Sequence, residues 1–126
     1  MGGDAGGNIT DADFNVAIGF QSLLTNTVGS RSVAVGYNSL LLQNPATATD
    51  MYNVAVGFGA GESVSTGFYN VIIGGLAGDA FTTGTNNVAI GINAFGSETS
   101  GQYGVWIVTG KLIHQPQNLQ QHCTYQ

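Results

Sequence analysis

The stretch "NVAIG" at residues 15–19 returns as "SVAVG" at 32–36, "NVAVG" at 53–57, "NVIIG" at 70–74 and "NVAIG" at 87–91. The first residues of these phrases are spaced 17, 21, 17 and 17 apart, and a further step of 17 lands on Gly104, opening the degenerate copy "GVWIV". A short phrase repeated at fixed spacing is architecture, because each copy must pack on the next. Three residues before the phrases stand Gly29, Asp50, Gly67, Gly84 and Gly101, turn formers in the same register. The single irregular interval places four extra residues in the loop "LLQNPATATD", residues 41–50.

Within a phrase, β-branched residues alternate with small ones, the period-two pattern of a strand. Val and Ile occupy the second and fourth positions, and Asn or Ser, Ala and Gly occupy the others, with Ile72 and Trp106 breaking the small middle position and Val108 the Gly. Weaker apolar segments follow, "FQSLL" at 20–24, "YNSLL" at 37–41, "GLAGDAF" at 75–81 and "INAF" at 92–95, giving about two short strands and two turns per unit. No unit sustains a 3.6-residue pattern, and the Gly content opposes helix. A unit this short cannot bury its own apolar face, whereas stacked units can, with equivalent residues about 4.8 Å apart in parallel ladders. The expected fold is all-β, a parallel β-solenoid or β-roll of about six 17-residue coils. Its domains are a Gly-rich segment at 1–13, the repeat domain at 14–108 and a Gln-rich tail or cap at 109–126. Val and Ile are expected to form the buried columns. The Asn-Ala-Gly face is expected outside, bare enough to lie near a three-fold axis.

Charged residues are only 7% of the chain, against roughly 25% in ordinary soluble proteins. So sparse a surface implies cover by other copies or partners. With Arg31 and Lys111 as its only basic residues and a net charge of −5, the chain has no set of cations for nucleic acid or an anionic membrane. No run approaches the roughly 20 apolar residues of a membrane span. Cys123 is the only cysteine, so no internal disulfide forms.

Candidate chemistry is thin. Glu62 and Asp79 are 17 residues apart and fall in one column, a pair that a polysaccharide depolymerase of the tailspike type would use as acid and base. His114, His122 and Cys123 lack a metal-ligand spacing. No metal or cofactor is expected, and no enzyme activity. Aromatic columns flank the phrases, Phe14, Tyr52, Tyr69 and Tyr103 before them and Phe20, Tyr37 and Phe58 after. Sharing the parity of Val and Ile, they are expected to plug the core. Leu112, Ile113 and Leu119 are expected to cap the last coil.

"NVAIGFQSL", "SVAVGYNSL" and "NVAVGFGAG", each after a Gly or Asp turn, resemble the repeats of trimeric autotransporter adhesin heads and of bacteriophage tail fibres, over residues 14 to about 108. The resemblance implies a left-handed parallel β-roll in a side-by-side homotrimer. It also implies a non-enzymatic structural or adhesive role in a virion fibre or bacterial surface appendage. The partners would be the chain itself and a host-surface glycan or other fibre proteins. The alternative is a fragment of a depolymerase tailspike.

An insertion in a solenoid is tolerated only at a turn, since one inside a strand would reverse side-chain parity. The loop 41–50 is therefore expected to bulge outward, with Asn44, Thr47 and Thr49 offering polar groups to a sugar or neighbouring subunit. Deleting Gln43 to Ala46 is expected to restore the regular spacing.

Overall fold

The computed structural model describes residues 2–108. The residues expected to cap the roll or ligate metal (Leu112, Ile113, His114, Leu119, His122, Cys123) lie outside that range. Eight short strands follow in chain order: β1 Val16–Ile18, β2 Gly29–Ser30, β3 Val33–Val35, β4 Thr49–Asp50, β5 Val54–Val56, β6 Val71–Ile73, β7 Val88–Ile90 and β8 Val105–Ile107. Six of them form one sheet in the order β1-β3-β5-β6-β7-β8, every pair parallel, and no helix occurs among the described residues. The chain is a β-solenoid of about five turns bounded by those six strands.

The register follows the repeated phrase. Val16 pairs with Val33, Val33 with Val54, Val54 with Val71, Val71 with Val88 and Val88 with Val105. The 21-residue interval leaves the pairing of β3 with β5 untouched. Thr27 meets Asn44 at an offset of 17 and β2 pairs with β4 at an offset of 20, so three of the extra residues lie between Asn44 and Thr49 and the fourth between Asp50 and Val54, outside β3 and β5. The Gly-rich N-terminal segment joins the same stack, with Gly6, Asn8 and Thr10 N–H groups donating to the Ser22, Leu24 and Thr27 carbonyls.

The wall opposite the strands is not a second sheet. The "FQSLL"-type segments run as successive turns, with positive φ at every other residue: Gln21 and Leu23, Asn38 and Leu40, Gly59 and Gly61, Leu76 and Gly78, Asn93 and Phe95. The left-handed region costs a non-glycine residue about 1–2 kcal/mol. Regular bonds between coils offset this cost, Leu23 N–H to Ser39 O, Leu40 N–H to Ala60 O and Gly78 N–H to Ala94 O among them. Each phrase ends in Gly with φ between +118° and +141°, and a Cβ there would run into the backbone of the next coil. That is why Gly19, Gly36, Gly57, Gly74 and Gly91 are all glycine.

The two faces of the strand wall are reversed from the sequence expectation. Asn53, Asn70, Asn87, Ser32, Ala34, Ala55, Ile72 and Ala89 are fully buried. Val16, Ile18, Val56, Ile73, Val105 and Ile107 are exposed. The cause is the width of the interior. Leu23, Leu40, Phe81 and Phe95 project from the turn wall and fill the slot, leaving alanine-sized room at the middle of each strand. Where β6 carries Ile72 instead, the turn wall shrinks to match. A Cβ on Gly61 would lie 3.0 Å from Ile72 Cδ1, and one on Gly78 would lie 3.3 Å from Ile72 Cγ2.

Ile72→Ala should therefore open a cavity between two glycines that cannot refill it, costing about 2–5 kcal/mol. Val71→Ala, on the outer face, should cost far less in folding free energy. Urea denaturation of the two variants checks the inversion, and equal losses would contradict it.

Candidate functional site

Buried polar side chains hold the coils in register. The Nδ2 of each phrase asparagine donates to the carbonyl of the turn glycine one coil on: Asn53 to Gly67, Asn70 to Gly84 (both 2.8 Å) and Asn87 to Gly101 (2.7 Å). Its Oδ1 accepts the N–H opening the next phrase, Asn70 at 2.9 Å, Asn87 at 3.0 Å and Gly104 at 2.8 Å. Asn15 does the same for Gly29 and Ser32. The one break is Ser32, too short to continue the ladder.

The insertion loop fills that break. Gln43 is fully buried, and its Oε1 accepts from Ser32 Oγ at 3.1 Å and Asn53 Nδ2 at 2.8 Å. Its Nε2 donates to Asn26 Oδ1 at 3.3 Å. The sequence carried a signal for this, since Gln43 stands 17 residues after Asn26 and opposite the only Ser in the Asn column.

The polar groups proposed for the loop are only partly free. Asn44 Oδ1 accepts from the Thr27 N–H at 3.2 Å and from Thr27 Oγ1 at 2.8 Å, a bond between coils. Thr49 Oγ1 donates to the Thr47 carbonyl at 2.8 Å, tying the loop to itself. Thr47 is exposed at the tip between Ala46 and Ala48, while Pro45 is buried. The expected outward bulge is thus residues 46–48, with Gln43 and Asn44 belonging to the stack. Glu62 Oε1 accepts from Asn38 Nδ2 at 3.1 Å, and among the described residues Asn38 Oδ1 is the buried side-chain acceptor left without a partner. Among the described residues, no three His, Cys, Asp or Glu side chains gather as metal ligands would, and no helix is long and apolar enough to cross a membrane.

The largest feature is the outer strand wall. Of the exposed large apolar side chains among the described residues, all but Leu42 lie on it or its two borders. The middle carries the Val and Ile columns. One border runs Phe14, Arg31, Tyr52, Tyr69, Asn86 and Tyr103, all with φ between +49° and +63°. The other runs Phe20, Tyr37, Phe58, Gly75 and Ile92. The aromatic columns expected to plug the core therefore stand outside it, because they share the parity of the outward Val and Ile. Phe20, Tyr37 and Phe58 stack as a ladder, with centroids 5.6 and 4.9 Å apart and planes within 13°.

Arg31 is the only cation on this surface among the described residues. Its guanidinium lies 4.8 Å from the Phe14 ring centroid and 5.9 Å from that of Tyr52, and its Nε meets Asp50 Oδ1 at 2.9 Å. The hydrogen bond and negative charge of Asp50 raise its pKa further above the ordinary arginine value. The charge is thus paired and stacked within an aromatic border. No protein-family model, curated protein or solved structure matches the chain.

Gln43→Ala should cost about 1–3 kcal/mol by leaving Ser32 Oγ buried without its acceptor and stripping one of two bonds each from Asn53 Nδ2 and Asn26 Oδ1. Thr47→Ala should stay within about 0.5 kcal/mol. Restoring the regular spacing by removing residues 45–48 should be tolerated, whereas removing Gln43 to Ala46 should not. Urea midpoints for the four variants measure the difference.

Proposed function

We propose that the chain is a non-enzymatic structural and adhesive fibre module that assembles side by side as a homotrimer, in a phage tail fibre or a bacterial surface appendage. One observation carries this reading, the concentration of exposed apolar side chains on a single wall and its borders. Six strands about 4.8 Å apart and some six residue steps of about 3.3 Å make a face of roughly 24 by 20 Å. Apolar patches of that size mark contact surfaces.

The period of the wall argues for its own kind as the occupant. Columns repeating at the strand spacing are matched over their whole height by a partner with the same rise, and another copy of the chain has it. The low charge of the chain agrees with this cover. A rod of stacked coils with its apolar wall turned inward presents turns and the 41–50 loop outward, the surfaces a fibre uses for attachment. On this reading the chain works in a virion or at a cell surface, with a host glycan or other fibre proteins as outer partners.

Light scattering at micromolar concentration should give the mass of three chains. The double variant Val56→Ser, Ile73→Ser should keep its β circular dichroism and lose assembly. A parent protein that runs as a well-behaved monomer would overturn the reading. Saturable binding of the trimer to a panel of bacterial surfaces would support attachment over a purely structural role.

A further inference from the structure

Gly75 is a glycine that its own chain does not require. Its φ lies outside the left-handed region that demands glycine, and a Cβ placed on it meets nothing within 4 Å. It is the one gap in the border Phe20, Tyr37, Phe58, Gly75, Ile92, a notch between Phe58 (58% exposed) and Ile92 (70% exposed). The opposite border of the same coil carries Tyr69, an aromatic 48% exposed.

We infer that in the assembled protein Tyr69 of one copy seats in the notch over Gly75 of the next, and that this contact sets the axial register of the chains. The inference rests on the side-by-side reading above. Three copies related by rotation about an axis parallel to the roll, strand walls inward, bring the Tyr69 border of each against the Gly75 border of its neighbour. Pure rotation leaves every coil at its own height, so the members of one coil meet: Phe14 with Phe20, Arg31 with Tyr37, Tyr52 with Phe58, Tyr69 with Gly75 and Asn86 with Ile92.

The sizes in these pairs are complementary where the columns are irregular. Where one border loses its side chain at Gly75, the other offers Tyr69. Where that border shortens to Asn86, the first offers the exposed Ile92. The Val and Ile columns set a register only weakly, because a slip of one coil replaces Val with Val in one column and exchanges Val and Ile, a single methylene apart, at two steps of the other. Such a slip would drive Tyr69 onto Phe58 or Ile92. In one direction it would also set Asn86 against Gly75 and leave a void. The notch thus favours the closed rotational trimer over staggered packings, in which each copy slips by one coil and the ring does not close, by excluding the latter.

Paired cysteines test this in a Cys123→Ser background. Tyr69→Cys with Gly75→Cys should give covalent trimers on mild oxidation, at least tenfold faster than Tyr69→Cys with Phe58→Cys or with Ile92→Cys. Within one chain, residues 69 and 75 lie across the width of the wall, beyond the roughly 7 Å Cα separation a disulfide spans. Gly75→Phe should fold as the parent does and weaken assembly at least tenfold. A trimer that links through residue 58 or 92, or that tolerates Gly75→Phe at parental affinity, overturns the register and leaves the trimer standing. A parent that is monomeric by light scattering overturns both.

Discussion

The buried asparagine ladder is the interaction on which the rest of the roll depends. Stacked strands of three residues supply few backbone bonds per coil, and the sheet alone would hold neighbouring coils loosely. Each phrase asparagine adds bonds at both ends of its amide, one to the turn glycine carbonyl and one to the next phrase N–H. At Gly67 and Gly84 the carbonyl would otherwise be left without this bond in a buried turn, at a cost of about 1–3 kcal/mol each, while Gly29 and Gly101 keep a second donor. The ladder also explains the 17-residue spacing in physical terms. An amide reaches the equivalent group of the next coil only if that coil returns to the same position, so a change of length inside the strand or its entry turn breaks two bonds at once. The insertion of four residues is accommodated because it enters outside β3 and β5, three residues after Asn44 and one after Asp50, and because Gln43 bridges the place where Ser32 falls short.

Much of this was legible in the residues. The period and the parallel register follow from where "NVAIG" and its copies stand, and the structure has both; of the insertion, three residues fall in the 41–50 loop and the fourth after Asp50. The side of the strand that faces inward was not legible from alternation. Period two says that Val54 and Val56 share a face and that Asn53 and Ala55 share the other, but it does not say which face is inside. Assigning the apolar set to the interior assumes a chain that must hide those residues by itself. Here the turn wall already supplies Leu23, Leu40, Phe81 and Phe95, and the space left over admits alanine. The trace of this was present in the pairing of Ile72 with Gly61 and Gly78, a large residue on one wall matched by two glycines on the other. The second wall was misread for a related reason. Segments such as "YNSLL" have strand-like composition, yet the alternating positive φ at Asn38 and Leu40 is set by bonds to the coils above and below, which a single segment cannot reveal.

The candidate contact residues show the same division. Asn44 and Thr49 are polar and in a loop, and composition alone marks them as available. Part of their capacity is already used, Asn44 Oδ1 across coils and the Thr49 hydroxyl within the loop. Gln43 looked like part of the bulge and is instead one of the most buried polar side chains in the chain. The extended surface that the structure offers is the strand wall, whose residues had been read as core.

Stacking accounts for scarce charge without any cover by partners, and separating the two sharpens the proposal of assembly. In a solenoid with an exact repeat, a charge in one coil stands about 4.8 Å from the same charge in the next. Two like charges at that distance repel by about 1 kcal/mol even in water, and a column of them repels at every step. A repeat that carried a carboxylate at a fixed position would therefore be destabilised along its whole length. Among the described residues the acidic groups avoid this almost entirely, and Glu62 over Asp79 is the only like-charge pair that falls in one column of successive coils. Arg31 escapes the problem by standing alone in an aromatic column and pairing with Asp50. Low charge is thus partly the signature of stacking, and would be expected of an isolated solenoid as well. The apolar wall is not. Stacking would be equally well served by columns of Thr, Ser or Asn on the outer face, as the Thr and Asn side chains of the turn column Thr27, Asn44, Thr82 demonstrate. That the outer face carries Val, Ile, Phe and Tyr instead is a choice stacking does not require. It is this feature, rather than composition, that supports an assembled state.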